Sequence, residues 1–172
     1  TWTRTLAAGE HTGVTDVVMQ PGHPDVLLAA THQRFRDVAG LVNGGPETAI
    51  HKSTDGGRTW RRVATGLPTE DMGKIGLGFC PHDPRTVYAA IELSRRTGGF
   101  WRSTDAGESW QKMSDTISRG TGPHYYQEIY PSPHQPGRVY FADVLMRVTE
   151  DGGRTFRRMP DPHKHVDNHA LA

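Results

Sequence analysis

The sequence lacks three features that would assign it to familiar classes of protein. Its single cysteine, Cys80, excludes an internal disulfide framework and a multi-cysteine zinc site, and we expect this thiol to be buried. No apolar run approaches the roughly 18 residues of a membrane-spanning helix, so no transmembrane segment is predicted. The 20 basic and 19 acidic residues leave a net charge of +1 without a basic block, which argues against nucleic acid as a partner.

Glycine and proline, in contrast, are abundant. The chain has 20 glycines and 12 prolines in 172 residues. This share exceeds the roughly 12% of an average protein but stays below the roughly 25–30% typical of disordered chains. We therefore expect one domain, or a piece of one, with a thin core and many turns.

Three eight-residue segments, called octets here, share the pattern [Ser/Thr]-x-Asp-x-Gly-x-[Ser/Thr]-aromatic. They lie at residues 53–60, 103–110 and 149–156. The aspartate is suited to accept hydrogen bonds from its own turn, the glycine tolerates positive φ, and the aromatic residue begins the next strand. We predict structural roles, not catalytic ones, for the repeated residues Asp55, Gly57, Trp60, Asp105, Gly107, Trp110, Asp151, Gly153 and Phe156.

A second motif, Pro-x-x-Pro followed by a short apolar run, precedes each octet. It occurs at residues 21–24, 81–84 and 133–136. Short apolar or β-branched runs flank both motifs and give four strands per unit, without a helical period. Four-stranded repeats of this length are typical of β-propellers. The predicted fold class is all-β, with about three and a half four-stranded antiparallel blades of a larger propeller.

The repeats also predict boundaries within a partial propeller spanning residues 1–172. We expect the last strand of a preceding blade, three blades and the first strand of a further blade, at 1–13, 14–65, 72–113, 123–159 and 163–172. An open arc exposes sheet edges and apolar faces, so missing blades of the same chain or another subunit are expected at both ends. Alternatively, the two outer strands pair in one incomplete blade, or arcs close by self-association.

The octets match the Asp-box, or BNR, signature, and the chain resembles the bacterial secreted sortilin-like, BNR-repeat glycosyl hydrolase family. Segments 43–60, 125–129 and 164–171 carry this resemblance further. It implies an internal fragment of a longer exported protein, in the periplasm or outside the cell. Activity does not follow from it, because fold does not imply function and photosystem assembly-factor propellers with the same repeat catalyse nothing.

Two acidic residues are candidates for catalysis. Asp16 and Glu128 each lie five residues before the first proline of their turn, on the predicted innermost strands of the first and third blades, where the second blade has Gly76. Glycoside hydrolysis needs two carboxyls about 5–9.5 Å apart. Glu128 is the predicted acid and Asp16 the predicted base or nucleophile. The alternative is that both carboxylates only face water in the central channel.

Other residues are candidates for binding. Tyr125 and Tyr126, beside Glu128, supply residue types that sialidases use, but no arginine lies on an innermost strand to hold a sialic acid carboxylate. Residues 32–47 form an insertion in the first blade that carries Arg34, Phe35 and Arg36. Such rim loops recognise partners, although these side chains would equally pack on the next blade.

A histidine-rich stretch near the end of the sequence is a candidate metal site. In a strand, His163, His165, Asp167 and His169 project on one face. The four span about 20 Å, so only neighbours such as His165 with Asp167, or Asp167 with His169, could share an ion. The alternative is a polar channel-lining strand with His–Asp hydrogen bonds.

No complete catalytic set can be assembled from the repeated polar residues. The leading prediction is therefore a non-catalytic, exported binding or scaffold propeller for a protein or glycan partner, without a cofactor, as an accessory subunit of a larger or membrane-associated assembly. The alternative is a glycoside hydrolase that acts on a polysaccharide through Asp16 and Glu128.

Overall fold

The computed structural model describes residues 1–93, 97–118, 127–159, 166, 168, 170 and 171. These residues form 13 β-strands in three antiparallel sheets, which confirms the predicted all-β fold of propeller blades. Within this described part of the chain, no helix is long and apolar enough to cross a membrane.

Each sheet corresponds to one blade. Blade 1 contains β1 (Thr12–Gln20), β2 (His23–Arg36), β3 (Leu41–Asn43), β4 (Ala49–Ser53) and β5 (Arg61–Val63). Blade 2 contains β6 (Ile75–Phe79), β7 (Val87–Glu92), β8 (Gly98–Ser103) and β9 (Gln111–Ser114). Blade 3 contains β10 (Ile129–Pro131), β11 (Val139–Phe141), β12 (Arg147–Thr149) and β13 (Arg157–Arg158). Neighbouring strands in the sequence pair in order, except that β3 pairs only with the end of β2 and β4 takes the next place in blade 1.

The octets form the turns between the third and fourth strands of each blade. In the first octet, the Thr59 backbone N–H and hydroxyl donate to the two Asp55 carboxylate oxygens at 2.9 and 2.7 Å. Asp105 and Asp151 accept the same pair of bonds from Ser109 and Thr155. The hydrogen bonds with Thr59 lower the pKa of Asp55 to about 2. Each octet aspartate thus closes its own turn as an acceptor.

The octets of blades 2 and 3 also pack against the blade before them. Lys52 of β4 is buried and donates to the Ala106 carbonyl at 2.7 Å in the octet of blade 2. The octet aromatic of blade 3, Phe156, lies edge-on to Phe100 of β8 with ring centroids 5.0 Å apart. Two apolar cores result, one between blades 1 and 2 and one between blades 2 and 3.

The start of the chain differs from its predicted structure. Residues 1–13 were expected to end a preceding blade, but residues 1–9 form no strand, and β1 begins at Thr12. A strand needs a hydrogen-bonding partner, and residues 1–9 pair with no described strand. The Thr5 hydroxyl instead accepts a hydrogen bond from the Trp60 indole at 3.2 Å. The predicted last strand, 163–172, lies largely outside the described residues and stays a prediction.

The insertion in blade 1 forms a β-hairpin, not an irregular rim loop. The end of β2 pairs with β3, with Arg34, Phe35 and Arg36 opposite Asn43, Val42 and Leu41. The Asp37 carboxylate closes the tip by accepting from the N–H groups of Ala39 and Gly40, both at 2.8 Å. This segment, residues 34–43, is called the blade 1 hairpin.

Candidate functional site

The innermost strands of the three blades border one cleft. Its volume is about 270 Å³, and its walls come from β1, from the start of β6 and from the start of β10. Both acidic residues singled out from the sequence line it, Asp16 from β1 and Glu128 immediately before β10. Two carboxyls from separate blades therefore share one cavity.

Blade 2 makes this convergence possible because it has no side chain at the equivalent position. A Cβ atom on Gly76 would lie 1.6 Å from the carbonyl oxygen of Gln127. Gln127 is fully buried and has a positive φ of 95°, which is unusual for a residue other than glycine. Such backbone strain is concentrated at functional sites, and here it directly precedes Glu128.

Asp16 lies in an environment that favours its neutral form. Burial raises the pKa of the Asp16 carboxyl, and the nearby charge of Glu128 raises it further. The Leu77 backbone N–H donates to Asp16 Oδ2 at 2.8 Å and acts in the opposite direction. Because burial dominates, Asp16 holds a proton at a higher pH than an exposed aspartate does.

Glu128 is held by a cation. Lys74, whose side chain is 15% exposed, places Nζ 2.7 Å from Glu128 Oε1. The second carboxylate oxygen, Oε2, is buried and has no hydrogen-bond partner among the described residues. A buried carboxylate oxygen without a partner is costly, so a bound hydroxyl group or water at this position would be stabilised.

Tyr130 completes the polar wall of the cleft. Burial raises the pKa of its phenol, and the negative charges of Glu128 and Asp16 raise it further. The hydroxyl therefore keeps its proton and remains a hydrogen-bond donor at neutral pH.

A second cavity of about 360 Å³ adjoins the cleft at the base of the blade 1 hairpin. Thr15 and Lys74 line both cavities, and His11, His32 and Arg34 complete the polar lining of the second. The His11 ring packs on Phe35 with ring centroids 4.7 Å apart. The His11 backbone carbonyl accepts from the Arg34 backbone N–H at 2.9 Å. Of the three hairpin residues proposed for binding, Arg34 lines a cavity, whereas Phe35 packs on His11 and Arg36 lines neither cavity.

The remaining predicted site residues lie outside the described part of the chain. These are Tyr125 and Tyr126 for binding and His165, Asp167 and His169 for metal. Among the residues that are described, no group of three side chains suited to a metal ion occurs. The metal site therefore stays a prediction.

Sequence reasoning missed Lys74 and Tyr130. Neither belongs to a repeated motif, and the sequence gives no measure of distance between blades. Their one signal is position, because each lies on or beside the predicted innermost strand of its blade, where side chains border the channel.

Comparison with known proteins finds similarity to β-propeller glycoside hydrolases. No protein-family model matches the sequence. It is 28% identical over 181 residues to a xyloglucanase of Acetivibrio thermocellus, covering 88% of this chain and 20% of the relative. It is 35% identical over 130 residues to an oligoxyloglucan-reducing end-specific xyloglucanase of Emericella nidulans, covering 72% of this chain and 15% of that protein. The chain thus spans about a fifth of the length of the first of these relatives.

A solved structure shows the same architecture. The GH74 enzyme of Niastella koreensis superimposes with a TM-score of 0.62 at 20% identity, covering 91% of this chain and 23% of that one. At this identity the likeness concerns the fold. The sortilin-like, BNR-repeat assignment is not confirmed, and the relatives found are xyloglucanases and other β-propeller glycoside hydrolases.

These comparisons overturn the leading functional prediction. A non-catalytic binding or scaffold propeller is wrong as the main interpretation, because the curated relatives are xyloglucanases. The repeated aspartates do have structural partners, but this observation said nothing about unrepeated residues such as Asp16 and Glu128. The chain is similar to β-propeller glycoside hydrolases, and the predicted alternative is the better supported one.

Proposed function

We propose that the protein is a glycoside hydrolase that cleaves a polysaccharide with the two carboxyls of the inner cleft. The observation that carries this proposal is the presence of Asp16 and Glu128, from separate blades, in one cavity. The xyloglucanase relatives support a substrate with a β-1,4-linked glucose backbone, such as xyloglucan. A polysaccharide substrate in turn supports an extracellular location.

The environments of the two carboxyls favour roles in reverse of the sequence-based expectation. Burial raises the pKa of Asp16, which suits a general acid that protonates the departing glycosidic oxygen. Glu128, the ion-pair partner of Lys74, is the carboxylate that serves as base for an attacking water or as nucleophile. Two carboxyls in unlike environments are the arrangement that this reaction requires.

Lys74 and Tyr130 act on the two carboxyls. Lys74 orients Glu128 by an ion pair with its Oε1. The protonated Tyr130 phenol, on the same wall of the cleft, is a donor for a substrate hydroxyl. Both residues serve to hold the sugar and the carboxylate in a reactive geometry.

The test is hydrolysis of xyloglucan and a panel of other polysaccharides by the full-length protein, measured as released reducing ends. We expect Glu128→Gln to lower kcat by about 10²–10⁴-fold, the usual contribution of general acid–base catalysis. Asp16→Asn should cause a similar loss and remove the basic limb of the pH–rate profile, because the proton donor is gone.

The matched control is Glu70→Gln. Glu70 is an exposed carboxyl outside the cleft, and its substitution should leave the rate unchanged. A wild-type protein that cleaves no polysaccharide, or a Glu128→Gln variant with the wild-type rate, would refute the proposal.

A further inference from the structure

The second cavity differs from the cleft in its charge. Its lining side chains include Arg34, Lys74, His11 and His32 but no carboxylate. The cleft beside it contains two carboxyls, Asp16 and Glu128. The two cavities share Thr15 and Lys74, so a chain-like ligand could occupy both.

Arg34 supplies the net positive charge of this second cavity. The charge of Lys74 is matched by Glu128, which its Nζ contacts at 2.7 Å. Arg34 is exposed, and its guanidinium forms no ion pair with any described residue. A guanidinium is always charged and presents a planar set of donors that matches a carboxylate.

The position of Arg34 is fixed even though its side chain is exposed. Its backbone pairs with Asn43 across the blade 1 hairpin, and its N–H donates to the His11 carbonyl at 2.9 Å. The His11 ring packs on Phe35, the next residue of the same strand. A donor on a paired strand is a more precisely placed binding group than one on a loop.

We infer that this cavity is a subsite for an acidic sugar, so that the polysaccharide substrate carries carboxylate groups, with Arg34 as the residue that selects them. The inference rests on the proposed function, which supplies the polysaccharide and the cleft where it is cleaved. It goes further by naming the chemical class of one substrate unit.

The same charges determine how the substrate lies. A uronate carboxylate is attracted to Arg34 and repelled by the carboxylate of Glu128. The acidic unit therefore occupies the hairpin side, and the bond to be cleaved lies in the cleft beyond Lys74.

The experiment compares two oligosaccharides that differ only in charge. One is a β-1,4-linked glucose hexamer, and the other is the same hexamer with the 6-hydroxymethyl group of one terminal glucose oxidised to a carboxylate. Binding is measured by calorimetry at fixed pH and salt with the full-length protein carrying Asp16→Asn, which the proposed function expects to be inactive. We expect the oxidised hexamer to bind about tenfold more tightly, the effect of one charge-assisted hydrogen-bonded pair.

Variants of two arginines test the role of Arg34 in that background. Arg34→Gln should abolish the preference for the oxidised hexamer, and Arg34→Lys should retain only part of it, because an ammonium lacks the planar pair of donors. Arg58→Gln removes the same charge from an exposed octet turn and should leave the preference intact.

The possible outcomes separate the inference from the proposed function. Equal or tighter binding of the neutral hexamer overturns the acidic subsite but leaves the hydrolase proposal standing. An equal loss of preference in Arg58→Gln shows a general charge effect and also overturns it. If neither hexamer binds, both the subsite and the proposed glucan backbone are wrong, whereas retained hydrolysis by Asp16→Asn refutes only the catalytic assignment.

Discussion

At the scale of single residues, the aspartates of the structure fall into two chemical groups. The three octet aspartates accept several hydrogen bonds in exposed turns, and the pKa of each is lowered to about 2. Asp16 accepts a backbone hydrogen bond but is half-buried, and burial raises its pKa. The pKa of the same side chain is therefore lowered in a turn and raised in the cleft, because the balance of burial and hydrogen bonding differs.

The octet aspartates predict a pH-dependent contribution to stability. Burial acts to raise the pKa of Asp105, but bonds from Ser103 and Ser109 outweigh it and lower the pKa to about 2. Asp105→Asn should therefore reduce the free energy of unfolding at neutral pH by about 1–2 kcal/mol, because the amide loses charge-assisted bonds. Urea denaturation of the full-length protein measures this difference.

The sign of the pH effect follows from the lowered pKa. The stabilisation is complete above the unfolded-state value of 3.8 and is lost as the pH falls towards about 2. The difference in the free energy of unfolding between wild type and Asp105→Asn should disappear over that pH interval. The control is Asp71→Asn, at an exposed position, which should leave the free energy of unfolding unchanged at every pH. If the stability difference for Asp105→Asn remained undiminished at pH 2, the explanation would be contradicted.

At the scale of elements, the cleft depends on the close approach of β6 and the segment before β10. Gly76→Ala places a methyl group 1.6 Å from the Gln127 carbonyl oxygen. Backbone cannot yield as a flexible side chain does, so β10 must shift and carry Glu128 with it. We expect a destabilisation of about 2–3 kcal/mol, since overpacking and strain typically cost this much, together with lower kcat.

Gly40→Ala is the matched control for this substitution. A Cβ atom on Gly40, at the tip of the blade 1 hairpin, would meet nothing within 4 Å, and its φ is not in the left-handed region. Thermal unfolding and initial rates on the polysaccharide substrate should be close to wild type for Gly40→Ala. Equal effects of the two substitutions would show that the approach at Gly76 is unimportant.

The sequence predicted which strands form each blade better than it predicted how far they extend. Turn motifs and β-branched runs identified the strands of each blade, because these signals are local. The blade 1 hairpin was missed because residues 34–36 continue β2 only through pairing with β3, and pairing is a property of the folded chain. Asp16 and Glu128 were proposed from their equivalent positions in two blades. Lys74 and Tyr130 belong to no repeat, and identifying them required knowing the distance between blades.

At the scale of the whole molecule, the described strands form three separate sheets, and side chains from one blade contact the next. Lys52 is 5% exposed and binds the Ala106 carbonyl and the Glu108 carboxylate, at 2.7 and 2.9 Å, in the octet of the next blade. In blade 3, a Cβ atom on Gly153 would lie 2.3 Å from the Phe100 ring of blade 2. Each interface therefore depends on an octet that fits closely against the preceding sheet.

Lys52→Ala tests this interface. The substitution leaves the Ala106 carbonyl without its donor and removes a buried ion-pair partner of Glu108. We expect a loss of about 2–3 kcal/mol in the free energy of unfolding. Arg157→Ala removes an exposed pair with Glu150 and should cost less than about 1 kcal/mol. Similar losses in denaturant titrations of the two variants would show that the blades do not depend on this contact.

The direction of these contacts has a consequence for synthesis. The octet of blade 2 packs on blade 1, and the octet of blade 3 packs on blade 2, so each turn contacts a sheet that comes earlier in the sequence. A ribosome releases the chain from its amino end, and domains fold in that order during translation. The octets of blades 2 and 3 therefore contact sheets that leave the ribosome before they do, so neither octet has to wait for later residues to find its contact surface.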